Sequence, residues 1–298
     1  MNSDGRFAPS PTGPLHLGSL RTALVAWLMA RSQGSRFLVR IEDLDPDRSQ
    51  PEFVRAQIDD LRVIGIDWDE PPLRQSERTW LYDDALGKLH AAGSLYPCFC
   101  TRAEVRDAAS APHGKLPEGF YPGTCRDIPA AERRRRIEAG DRFALRLRAG
   151  GDRVEFDDRL LGPQSRLVDD FVVVRSDGVH AYQLAVVVDD AAQGIGEVVR
   201  GADLADSTPR QILLQRLLGV PTPSYAHVPL VLGPEGRRLA KRDRAAALAD
   251  RHEPPAATLA LLAHSLGLAS GRDRVESASE LVAEFELRLI PRQPVSLV

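Results

Sequence analysis

The chain has 298 residues, 43% hydrophobic and 27% charged, with a net charge of −3 and a pI of about 6.2. That length supports a buried core without covalent staples and fits one large domain or two smaller ones; the slight acidity excludes a nucleic-acid binder held by overall charge, so RNA would need a local basic patch. No apolar run approaches the roughly 20 residues of a membrane span, and "MNSDGRFAPS" has neither the basic nor the apolar region of a signal peptide, so the sequence reads as cytoplasmic.

In chain order, residues 5–9 suit a short strand that runs into a Pro-Ser-Pro-Thr-Gly loop. Leu17, Leu20, Leu24 and Leu28 then recur at helical spacing, which predicts an amphipathic helix over 18–33 closed by Gly34. "RFLVRIED" (36–43) predicts a strand, and helices follow over 51–65 and 77–92, the first opened by Pro51 and the second ended by Gly93. This alternation predicts an α/β fold with a doubly wound parallel sheet.

Near residue 96 the rhythm breaks into prolines, glycines, cysteines and short β-like runs such as "DRFALRLRA" and "DDFVVVRSD". It resumes with "AYQLAVVVDDA" and a helix over 208–219, and apolar helical segments follow residue 254. The predicted organisation is a first catalytic half (1–95), an inserted α+β subdomain (96–180), a second half (181–250) and a short helical tail (251–298).

The opening stretch "FAPSPTGPLHLGSLRTAL" sets a strand, an irregular loop and a helix N-terminus in succession. Unpaired N–H groups and the helix dipole make such a start an anion site. His16 can donate to a phosphate there, and Gly18 lets a flat base or ribose approach the backbone. His-x-Gly alone reads more readily as a proline-rich turn carrying a surface histidine.

Several segments together resemble the glutamyl branch of the class I aminoacyl-tRNA synthetases: "RFAPSPTGPLHLGSLRTAL", "RIEDLDPDRS", "QLAVVVDDAAQGIGEVVRGADLADSTPRQILL" and "GRRLAKRD", in order over most of residues 5–250. The resemblance implies that fold, and ATP bound with Mg²⁺ at His16, Gly18, Ser19, Arg238 and Lys241, with His16 and Lys241 catalytic. Arg238 and Ala240 stand where the branch has lysine and serine, so a charge is kept and a hydroxyl lost. The implied glutamate site is Arg6, Phe7, Ala8, Pro9 and Ser10 with Glu42, Tyr182 and Arg200. Its charges suit the ligand, because glutamate brings two carboxylates and one ammonium. A guanidinium fork also meets a carboxylate better than lysine does.

Cys98, Cys100 and Cys125 cannot make a secreted disulfide framework, and thiolates at this spacing suit a closed structural zinc site. The residues offer His113 as a fourth ligand, whereas the resemblance implies Tyr121. Four arginines, Arg133 to Arg136, form either a solvated helix face or a phosphate contact.

Only residues 242–298 follow the lysine loop, too few for the anticodon-reading domains of ordinary members of the branch. The chain thus resembles a truncated paralogue, which implies tRNA-independent glutamate activation and transfer to queuosine at the wobble position of tRNA(Asp), by a monomer. Ordinary charging of tRNA(Glu), nucleotidyl transfer to a small metabolite and an inactive RNA-binding role remain open alternatives.

Overall fold

The computed structural model describes residues 4–110, 120–233, 248 and 253–297. Its main sheet is built from β1 (Gly5–Phe7), β2 (Phe37–Ile41), β3 (Leu73–Arg74), β6 (Arg153–Asp158), β7 (Gly162–Leu167), β9 (Glu197–Gly201) and β10 (Ser224–Val228). The strand order is β3-β2-β1-β9-β10-β6-β7, parallel throughout except for the antiparallel β6–β7 hairpin. A buried parallel sheet needs apolar strands, and β2 (Phe-Leu-Val-Arg-Ile) is buried at every position, its arginine included.

Helices cover both faces. α1 (Leu17–Ser32) and α8 (Pro255–His264) share one core with the C-terminal segment, where Leu17, Leu24 and Leu28 pack with Leu259, Leu262 and Leu266. α3 (Thr79–Ala91), α6 (Tyr182–Ala192) and α7 (Thr208–Leu218) form the other, around Tyr82, Leu184, Val187 and Ile212. α2 (Pro51–Val63) completes the first half. Gly34 and Gly93 follow α1 and α3 with φ of 63° and 68°, the left-handed turn that ends helices. Among the described residues no helix is long and apolar enough to cross a membrane.

The segment over 96–180 divides between two sheets. β4 (Leu95–Cys98), β5 (Ala144–Leu147) and β8 (Val172–Val174) make a separate antiparallel sheet, accompanied by α4 (Arg102–Ser110) and α5 (Ala130–Glu138). The hairpin β6–β7 instead extends the main sheet, where Tyr225 of β10 pairs with Asp158. A hairpin satisfies one edge of each strand internally, so its other edge can cap the open side of β10. The tail adds β12 (Val295–Ser296), paired with β11 (Val231–Leu232), and a short 3₁₀ turn over Ala278–Glu284 capped by Ser277 and Glu280.

Candidate active site

In an open α/β sheet the crevice lies outside the C-terminal ends of the strands, where the strand order reverses. Here that point falls between β1 and β9, and a cavity of about 650 Å³ opens there. Its wall includes every residue expected for glutamate or ATP that is described: Arg6, Phe7, Ala8, Pro9, Ser10, His16, Gly18, Ser19, Glu42, Tyr182 and Arg200. Arg238, Ala240 and Lys241 lie outside the described residues.

His16 is the N-cap of α1, and its Nδ1 accepts the Ser19 N–H at 3.1 Å. With Nδ1 accepting, the neutral ring carries its proton on Nε2, the donor a phosphate would use. A Cβ on Gly18 would stand 3.1 Å from both Cε1 and Nδ1 of that ring. Glycine therefore serves the imidazole as well as any nucleotide, a role that its place in the motif does not reveal.

Below the His16 end of the cavity, a buried charge network lies at the junction of β1, β2 and α6. Arg6 Nε and Nη2 donate to the two carboxylate oxygens of Asp190 at 3.1 and 3.3 Å, and Nη1 donates to the Val199 carbonyl. Arg40, 0% exposed, donates from Nη1 to Asp190 at 2.8 Å and to Gln193 at 2.7 Å. Burial opposes its charge, but Asp190, Glu42 and Asp189 together hold its pKa above the ordinary value. Asp189 is itself held by Gln75, Arg78 and Tyr82.

Glu42 shares with Nε and Nη2 of Arg40 the lack of a hydrogen bond among the described residues of this network. Its side chain is 8% exposed and 3.5 Å from Arg40 Nη2, and among the described residues its Oε1 accepts no hydrogen bond. Burial pushes its pKa up to about 7 against the pull of Arg40 and Arg6. A buried acceptor without a donor, facing a cavity, is suited to a ligand ammonium.

At the β9 wall, Arg200 is locked on all sides. Nη1 donates to Gln211 at 2.7 Å and to the Tyr182 hydroxyl at 3.3 Å, Nη2 donates to Thr208 at 2.7 Å, and Nε donates to His227 at 3.1 Å. Around the expected glutamate residues the cavity thus presents the guanidiniums of Arg6 and Arg200 and the Glu42 carboxylate, while Arg48, Arg175, Asp45 and Asp203 also line its wall. Arg40, Asp189, Asp190 and His227 were not foreseen from the sequence. The legible signal was a charged residue inside otherwise apolar runs, in "FLVRI" and "AVVVDD".

The cysteines form a second site. The Sγ atoms of Cys98, Cys100 and Cys125 lie within 4.8 Å of one another. Cys100 and Cys125 are 3.4 Å apart, and the Tyr121 hydroxyl is 3.3 Å from Cys98 and 3.9 Å from Cys100. Tetrahedral zinc with bonds of ~2.3 Å spaces its sulfurs by about 3.8 Å, so the donor set fits. Burial and the neighbouring Cys125 thiol push Cys100 up to about 12, a cost that a bound cation removes. Arg146 lies 3.7 Å from the Tyr121 ring centroid, a cation beneath the cluster. His113 lies outside the described residues.

The arginine run is largely satisfied locally. Arg135 pairs with Glu132, Arg136 pairs with Asp141 and covers the Phe99 ring, and Arg133 donates to the Ile128 carbonyl.

These features place one charged cavity at the strand-order reversal of a doubly wound sheet, and the catalytic-domain family of class I tRNA synthetases (E and Q) matches residues 4–291; the chain belongs to that family. Among its relatives, the Glutamyl-Q tRNA(Asp) synthetase of Nocardia farcinica is 54% identical, over 97% of this chain and 91% of its own. That of Symbiobacterium thermophilum is 50% identical, over 98% and 95%. The crystal structure of a glutamate tRNA ligase from Elizabethkingia meningosepticum, in complex with its amino acid, superposes with a TM-score of 0.85 at 28% identity. It covers 100% of this chain and 67% of that one.

Proposed function

We propose that this chain activates L-glutamate with ATP, without tRNA, and esterifies the glutamyl group to the cyclopentene-diol of queuosine at the wobble position of tRNA(Asp). The single observation that carries the reading is one cavity lined by Arg6, Glu42, Tyr182 and Arg200 beside the His16 helix start. The printed names of relatives about 50% identical along nearly their whole length support the choice of acceptor.

In the first step the glutamate α-carboxylate oxygen attacks the α-phosphorus of ATP, and pyrophosphate leaves with the electrons of the bridging bond. Glu42 takes the ammonium, while Arg200 and Tyr182 take a carboxylate and Arg6 adds positive field. His16 and the first N–H groups of α1 meet the phosphates of MgATP, and Lys241 neutralises the departing pyrophosphate. In the second step a hydroxyl of the modified base attacks the carbonyl carbon of the mixed anhydride and AMP leaves. Positioning and fixed charge supply the catalysis, with no general base assigned.

Cys98, Cys100, Tyr121 and Cys125 are proposed as ligands of one structural zinc. All four positions are protein donors, so the ion has no open site for chemistry and instead braces the subdomain of β4, β5 and β8. The enzyme is proposed to act as a cytoplasmic monomer.

Labelled glutamate incubated with ATP and tRNA(Asp), with and without queuosine, tests the acceptor. Label retained only on queuosine-containing tRNA(Asp), at the anticodon, is expected. Label on the 3′ end of unmodified tRNA(Glu) would establish ordinary charging instead, and exchange of pyrophosphate without glutamate would remove glutamate from the reaction.

A further inference from the structure

Behind Arg200, outside the cavity wall, stands a buried pair that the proposed reaction does not use. His227 on β10 and Asp158 at the end of β6 are 0% and 3% exposed, and His227 Nδ1 lies 2.5 Å from Asp158 Oδ2. On the other side of the ring, Nε2 faces the Arg200 Nε–H at 3.1 Å and the Thr208 hydroxyl at 3.1 Å. An arginine Nε–H only donates, so Nε2 must accept and the ring proton must sit on Nδ1, directed at Asp158. Burial first, and the Arg200 charge next, lower the His227 pKa against the pull of Asp158, which keeps the ring neutral.

Asp158 is in turn set by the backbone. Its Oδ1 accepts N–H bonds from Leu160 at 3.0 Å, Leu161 at 2.8 Å and His227 at 3.2 Å. Those three donors dictate which atom of the side chain faces them, and so leave only Oδ2 for the imidazole. The ring itself is stacked on Tyr225, with centroids 6.2 Å apart and planes 6° from parallel.

We infer that Asp158 and His227 are positioning residues for amino-acid binding: the carboxylate selects the Nδ1–H tautomer of His227, and the resulting Nε2 acceptor aims the Arg200 guanidinium into the pocket. The inference deepens the proposed function and rests on Arg200 as a ligand of glutamate. It also gives the β6–β7 hairpin a task, since that hairpin brings Asp158 to the main sheet.

Asp158→Asn separates this role from simple packing, because it changes one atom in an unchanged shape. The three backbone N–H groups hold the amide oxygen at the Oδ1 position and turn the NH₂ toward His227. His227 must then accept at Nδ1 and carry its proton on Nε2, opposite the Arg200 Nε–H. Two donors facing each other in a buried site should raise the KM for glutamate by about 30-fold in pyrophosphate exchange, with the KM for ATP unchanged. His227→Gln can still donate to Asp158 and accept from Arg200, so its KM for glutamate should stay within about threefold of wild type.

The imidazole ¹⁵N shifts of the full-length wild-type protein report the tautomer directly and apply even if a variant fails to fold. A proton on Nε2, or a folded Asp158→Asn enzyme with the wild-type KM for glutamate, overturns the inference. Arg200→Ala distinguishes the two levels. If it leaves the KM for glutamate unchanged, the pocket reading fails; if it raises that KM while Asp158→Asn does not, only the positioning role fails.

Discussion

Glutamate binding should release a proton and weaken as the pH falls, because the carboxylate that would receive the ammonium sits in the pocket half-neutral. Glu42 has a pKa pushed up to about 7 by burial, with Arg40 and Arg6 opposing, and its Oε1 accepts no hydrogen bond among the described residues. Only the charged form can pair with an ammonium. A group of pKa 7 is about 76% charged at pH 7.5 and about 3% charged at pH 5.5, so the dissociation constant for glutamate should rise about 25-fold, or ~1.9 kcal/mol.

Calorimetric titration with glutamate, in buffers of different ionisation enthalpy, measures both affinity and proton release. About 0.9 proton should leave per glutamate bound at pH 6. Glu42→Gln should bind more weakly at pH 7.5 and show a flat profile. A wild-type affinity that changes less than twofold over this interval, with no proton released, would refute the assignment of Glu42 to the ammonium.

Asp190→Ala leaves Arg6 and Arg40 buried without their shared carboxylate; unfolding by urea should show a loss of about 3–5 kcal/mol, and a loss below ~1 kcal/mol would contradict the network. Cys125→Ala should purify with its zinc content cut well below one per chain and with a lowered Tm, whereas an unchanged metal content would remove Cys125 from the ligand set. At Gly267, where φ is 76°, a Cβ would come within 2.9 Å of the Leu289 carbonyl oxygen, so Gly267→Ala should lose at least about 1 kcal/mol in the same unfolding assay. Lys241→Ala should depress glutamate-dependent pyrophosphate exchange by orders of magnitude while leaving glutamate affinity near wild type; unchanged exchange would exclude its role.

The amino-acid sequence by itself determined the local elements and the chemical vocabulary of the site. Leucines at helical spacing after a proline-rich loop become α1, and the Gly34 and Gly93 stops fall where the helices close, because these signals act within a few residues. The resemblance to the synthetase branch also named the cavity residues from Arg6 to Arg200, and the charged ones among them suit the charges of glutamate. Tertiary structure decided how those charges are balanced. Arg6 and Arg40 are held by acids some 150 to 180 positions away, Arg200 is aimed through His227 by Asp158, and β6–β7 joins the main sheet rather than the subdomain around it. Such pairings leave no local pattern: a buried charge needs a partner, but nothing near it in the chain says which of many acids will be brought beside it.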